Sequence, residues 1–135
     1  MSVPQFLRLF AASAAVMFGL DMLWLAVIAK EFYRARLGHL MRADVLWVPA
    51  LLFYIIYVAA LVVFVVEPAI ERQSLARAVF LGAFFGLAAY AAYDLTSLAL
   101  MKDFPPIVAV VDLAWGATLS AAVCGSVYGL SRLGL

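Results

Sequence analysis

Residues 82–102 read GAFFGLAAYAAYDLTSLALMK. The run is long and apolar enough to cross a bilayer, whose hydrocarbon core takes ~20 residues of helix. It also carries an acid, Asp94, well inside that core. A carboxylate there costs roughly 2.5–3.5 kcal/mol on insertion scales, so intramembrane acids ordinarily face protein or water and mark function. Counting by four from Gly82 gives Gly86, Tyr90 and Asp94, with Ser97 beside them. Residues three and four apart stack on one helix face.

The rest of the chain has the same character. Of 135 residues, 69% are hydrophobic and 13% charged, with a mean hydropathy of +1.13. Soluble domains are nearer half apolar and a quarter charged. Four apolar runs are long enough to span, at about 7–29, 45–66, 78–101 and 107–130. Little remains for a soluble domain, so residues 1–135 read as a single membrane domain. The expected fold is an all-α integral membrane protein, four transmembrane helices in an antiparallel bundle with both termini on one side. Arg8 interrupts the apolar stretch ahead of Ala12-Ser13-Ala14, which argues for an uncleaved first span rather than a signal peptide. A net charge of +1 offers nothing to nucleic acid, and the single cysteine, Cys124, cannot form an intrachain disulfide.

Span 1 opens on small residues, Ala11 to Ala15 with Gly19, which let helices approach closely in lipid. Loop 1, Lys30 to Asp44, mixes Lys30, Arg34, Arg36, Arg42 and His39 with Phe32, Tyr33 and Leu37. It fits either a short basic amphipathic helix on the membrane surface or a solvated loop with interfacial aromatics. In span 2, Trp47 is an expected interface anchor, Pro49 falls in the first turns, and Glu67-Pro68 is the expected end. Loop 3 is short, so spans 3 and 4 form a hairpin. Gly82 and Gly86 are a small-x-x-x-small pair. Span 4 carries a strict four-residue stripe, Asp112, Gly116, Ser120, Cys124 and Tyr128, expected to be buried against other helices. Asp21-x3-Leu25-Ala26 and Asp94-x3-Leu98-Ala99 hint at a weak 2+2 internal repeat. Loops 1 and 3 hold five Lys/Arg against four elsewhere, too small a difference to orient the chain.

Helical rise of ~1.5 Å per residue puts Asp21 roughly 12 Å, Asp94 roughly 10 Å and Asp112 roughly 7–8 Å from the side bearing loops 1 and 3. The three acids therefore share a layer. Trp24, Tyr90, Tyr93, Thr96 and Trp115 lie at or near it and are the expected wall. Trp24 and Trp115 each follow an Asp by three positions, so each indole is expected to donate to its own acid, to flank a bound cation, or to act as an interface anchor. Tyr90, one turn from Asp94, is placed to donate to it.

Four readings of the layer stand. The acids fix helix packing through hydrogen bonds. They line a polar pocket for a proton, a cation or an amphipathic amine. They catalyse a reaction on a lipid. Or the chain is an accessory subunit of a larger complex. No nucleophile–base pair, nucleotide loop or metal motif is present, so neither a catalytic residue, a cofactor nor a resident metal is expected. Four spans are few to enclose a path, so a transporter of this size is expected to be a homodimer.

Asp21-Met22-Leu23-Trp24-Leu25, Phe32-Tyr33-Arg34 with Leu37-Gly38, Phe53-Tyr54-x2-Tyr57, Tyr90-x2-Tyr93-Asp94-Leu95-Thr96 and Asp112-x2-Trp115-Gly116 resemble a family of small bacterial membrane proteins, domain of unknown function 2177. The resemblance covers nearly the whole chain. Ser97 and Phe104 stand where the family pattern commonly has Asn and Trp, and Ser97 offers fewer hydrogen bonds than the amide. The resemblance implies a four-span protein of the bacterial inner membrane and supplies no activity.

Overall fold

Four helical spans account for most of the chain, and a computed structural model describes all residues 1–135. Helix α1 (Val3–Leu23) runs on through a π-helical segment, Trp24–Ile28. A short α2 (Lys30–Leu37) follows. Helix α3 (Trp47–Leu61) passes through a second π-helical segment, Val62–Val66, into α4 (Glu67–Glu71). Helices α5 (Leu75–Leu100) and α6 (Pro106–Arg132) complete the chain. The spans Val3–Ile28, Trp47–Glu71, Leu75–Leu100 and Pro106–Arg132 are each long and apolar enough to cross a membrane. The protein is an all-α, four-span membrane bundle.

Helix ends follow local chemistry. Ser2 and Ser74 cap α1 and α5 by accepting from the N–H of Gln5 and Arg77. Pro106 starts α6, where its missing N–H costs nothing. Span 2 does not stop at Glu67-Pro68 as expected. The Glu67 N–H donates to Val62 O, five residues back. This wider turn carries the helix past Pro68, which has no N–H to give, and on to Glu71.

The tightest contact is the α5–α6 hairpin, and glycine makes it possible. A Cβ on Gly82 would meet Ser120 O at 2.9 Å, and one on Gly86 would collide with Gly116 O and the Ser120 side chain. A Cβ on Gly116 would strike the Tyr90 ring. Lipid supplies no hydrophobic drive between helices, so association depends on such close backbone approach. Gly116, Ser120, Cys124 and Tyr128 of the expected stripe are all buried, and Asp112 is half-buried. Helix α6 is central, touching α5, α1 and the π segment of span 2. Leu119, Val123 and Val127 pack there with Leu9, Met17, Leu61, Val62 and Val66. Ile56, Phe64, Phe80 and Phe84 are exposed on the outer faces, as suits lipid.

The small residues of span 1 contribute unequally. Ser13 is fully buried, whereas nothing lies within 4 Å of a Cβ built on Gly19. Spans 1 and 2 also pack less closely than α5 and α6, so the two halves of the suggested repeat are unequal in packing. Loop 1 takes the helical form. Phe32, Tyr33 and Leu37 of α2 fold onto Phe104, Val108 and Ala109 at the start of α6. Arg34 and Arg36 stay exposed, Arg36 resting over the Phe32 ring at 4.5 Å.

Candidate functional site

The three acids differ in their surroundings. Asp21 is 8% exposed, and both its oxygens accept a hydrogen bond. Tyr54 Oη donates to Oδ2 at 2.5 Å, and Trp115 Nε1 donates to Oδ1 at 3.1 Å. The carboxylate thus ties span 1 to spans 2 and 4. Asp112 is half-buried, and its Oδ1 accepts from Tyr33 Oη at 2.8 Å. Tyr33 in turn accepts from Trp24 Nε1 at 3.2 Å.

Asp94 is fully buried and no hydrogen-bond donor reaches either of its oxygens. The hairpin brings it opposite Asp112, close enough for the two carboxyls to act on each other. Two carboxylates offer only acceptors, so the pairing is favourable only with a proton or a cation between them. No basic side chain supplies that charge: the protein's only ion pair is Arg34–Glu31 at 3.8 Å, on the exposed surface of α2. The three aspartates do not gather into a metal-holding cluster. The layer divides into the Asp94–Asp112 pair and a separately satisfied Asp21.

The indoles cross over. Trp115 serves Asp21 rather than Asp112, and Trp24 serves Tyr33 rather than Asp21. The rings stack 4.5 Å apart, nearly parallel, and each N–H donates to a partner on a different element. The backbone is still α-helical at Trp24, whose N–H bonds Leu20 O, so the change of partner comes from how neighbouring elements face the indole rather than from lost helical spacing.

Tyr90 packs its ring against Gly116 and edge-on to Tyr57, and its hydroxyl makes no bond to Asp94. Tyr93 is 57% exposed and meets Phe104 edge-on. Both line a cavity of about 330 Å³ together with Phe53, Ala89 and Asp112. Thr96 lies outside the site. It is exposed, and its hydroxyl bonds back to the carbonyls of Ala92 and Tyr93 on its own helix. A second cavity, of about 210 Å³, lies between spans 1 and 2 and includes Asp21, Tyr54, Phe18 and Trp47.

Two donors, Tyr33 and Tyr54, were absent from the expected wall. Tyr54 lies on span 2, and spacing along a single helix cannot link it to Asp21 on span 1. Tyr33 sits in loop 1, and only the folding of α2 onto α6 carries it to Asp112. Outside the spans, burial holds the Tyr33 phenol well above its ordinary value, and the nearby Asp112 charge pushes the same way against the Trp24 N–H. Tyr33 is a neutral donor to Asp112.

Residues 6–129 match the family described as "Predicted membrane protein (DUF2177)". The chain belongs to this family. The DUF2177 description states no activity, and it agrees with the four apolar helices in making this a multi-pass membrane protein. No curated protein and no solved structure matches the chain.

Proposed function

We propose that this DUF2177 protein is a small transporter-like or ligand-binding protein of the bacterial inner membrane, with the Asp94–Asp112 pair as its proton- or cation-linked site. One observation carries the reading. A fully buried carboxyl whose one close polar neighbour is a second carboxyl is poor as a packing device, because the two can bond only through a proton or cation that no other side chain supplies. Natural proteins tolerate such groups where a ligand or proton completes them. On this reading the pair exchanges a proton for a small cationic or amphipathic solute, and two copies enclose the path.

Asp21 takes a different part. Its two satisfied oxygens favour the packing role for this acid, holding spans 1, 2 and 4 in register around the site.

Native mass spectrometry from mild detergent, wild type beside Asp94→Asn, tests the reading. A small molecule retained only by wild type is the expected result. Bare protein in both, with Asp94→Asn and Asp112→Asn lowering thermal stability, would return the pair to a packing role. The oligomer mass in the same spectrum reports on the dimer.

A further inference from the structure

We propose that the cavity between spans 2 and 3 binds an alkylammonium ion, with Asp112 as counter-ion and Phe53, Tyr90 and Tyr93 as its wall. The proposal rests on the ligand-binding reading above and names the chemistry of the ligand. Five residues line the cavity, three of them aromatic, and the one acid among them is Asp112. Its volume of about 330 Å³ falls at the small end of ligand sites, which run roughly 300–1,000 Å³.

This lining sorts ligands by chemistry. A hydrated metal ion must trade its waters for several oxygens, about six to eight for calcium. One carboxylate and two phenols do not replace them. An anion is repelled by Asp112. A neutral apolar molecule gains nothing from the acid. An ammonium with alkyl groups sheds little water, buries its carbons against the rings, and draws on both the ring faces and the carboxylate.

The wall is braced for this. Phe53 stacks on Tyr57 at 5.3 Å, Tyr57 meets Tyr90 edge-on at 6.3 Å, and Tyr93 meets Phe104 at 6.1 Å. The Tyr33 hydroxyl fixes Asp112 through Oδ1, and the other oxygen makes no bond within the protein. Asp94, the other member of the carboxyl pair, has no donor from the rest of the protein.

The test is equilibrium dialysis of labelled tetraethylammonium against the purified protein in lipid nanodiscs, at constant ionic strength held with sodium chloride. The expected result is saturable binding that falls about tenfold or more in Phe53→Ala and in Asp112→Asn, as loss of a desolvated cation–ring or charge contact implies. Phe64→Ala, on an outer face beyond this cavity, is expected to bind like wild type. Should Asp112→Asn fail to fold, the half-exposed Phe53→Ala decides alone. Binding that survives Asp112→Asn and is displaced by a short-chain phosphatidylcholine marks an acyl-chain slot and overturns the proposal. No tetraethylammonium binding, with a different ligand retained in an Asp94-dependent way by mass spectrometry, ends the alkylammonium class and leaves the wider reading standing. Failure of both measurements ends both.

Discussion

Trp24 and Trp115 stack with their ring centres 4.5 Å apart and 7° between their planes, joining two hydrogen-bonded branches. One branch is Tyr54–Asp21–Trp115, the other Trp24–Tyr33–Asp112. Trp115→Phe keeps a ring in the stack and removes the donor to Asp21. Side-chain bonds between membrane helices average ~0.6 kcal/mol and reach ~1.7 kcal/mol. A loss within that range is expected in a reversible detergent-unfolding assay. No loss at all would mean that the Asp21 bond contributes nothing to packing.

Asp21→Asn and Asp94→Asn are expected to part company. At Asp21 the new amide turns a donor toward either Tyr54 or Trp115, and roughly 1–3 kcal/mol of stability is lost to the unsatisfied groups. At Asp94 the new amide brings its own N–H donor to face Asp112, so stability holds or rises while ligand retention disappears. Thermal unfolding of the two variants side by side decides, and equal destabilisation would remove the distinction between the acids.

Glycine substitutions separate the hairpin from span 1. Gly86→Ala drives a methyl into Gly116 O and to within 2.7 Å of Ser120 Cβ, and backbone cannot yield as a side chain does. Overpacking of this kind costs about 1–3 kcal/mol. Gly19→Ala meets nothing and gains helix propensity of up to ~1 kcal/mol on scales measured in water. Opposite signs in the same unfolding assay are the expected outcome.

Tyr33 gives a pH signature. Its folded value lies above the ordinary 10.0, so the stabilisation from its neutral hydroxyl is whole below about pH 10 and is lost as pH climbs beyond it. In a spectrophotometric titration, the wild-type minus Tyr33→Phe difference should show almost no phenolate at about pH 10.5, where a free tyrosine is mostly ionised. A half-ionised difference signal near pH 10 would show that Tyr33 is not buried between α2 and α6.

Much of the fold was legible because a bilayer leaves few options. Length and hydropathy located the four spans, and the small stripes at Gly82-Gly86 and Gly116–Tyr128 located the tightest contact. The site was legible only in outline. Depth along a helix can be counted, so the acids and aromatics were placed in one layer. Which donor meets which acid depends on how helices face one another, and single-helix spacing paired Trp24 with Asp21 and Trp115 with Asp112. Tyr33 was hidden by a loop whose helix folds back, and Thr96 was misplaced because a span has an outer face at every depth.

The two π-helical segments, Trp24–Ile28 and Val62–Val66, carry a consequence for ancestry. Each holds an extra residue within a turn, which is how a one-residue insertion survives inside a helix without turning the rest of the span out of register. Relatives one residue shorter should therefore have lost it within these two segments. Their connecting loops would keep their length, and the acids and aromatics of spans 3 and 4 would stay in unbroken register.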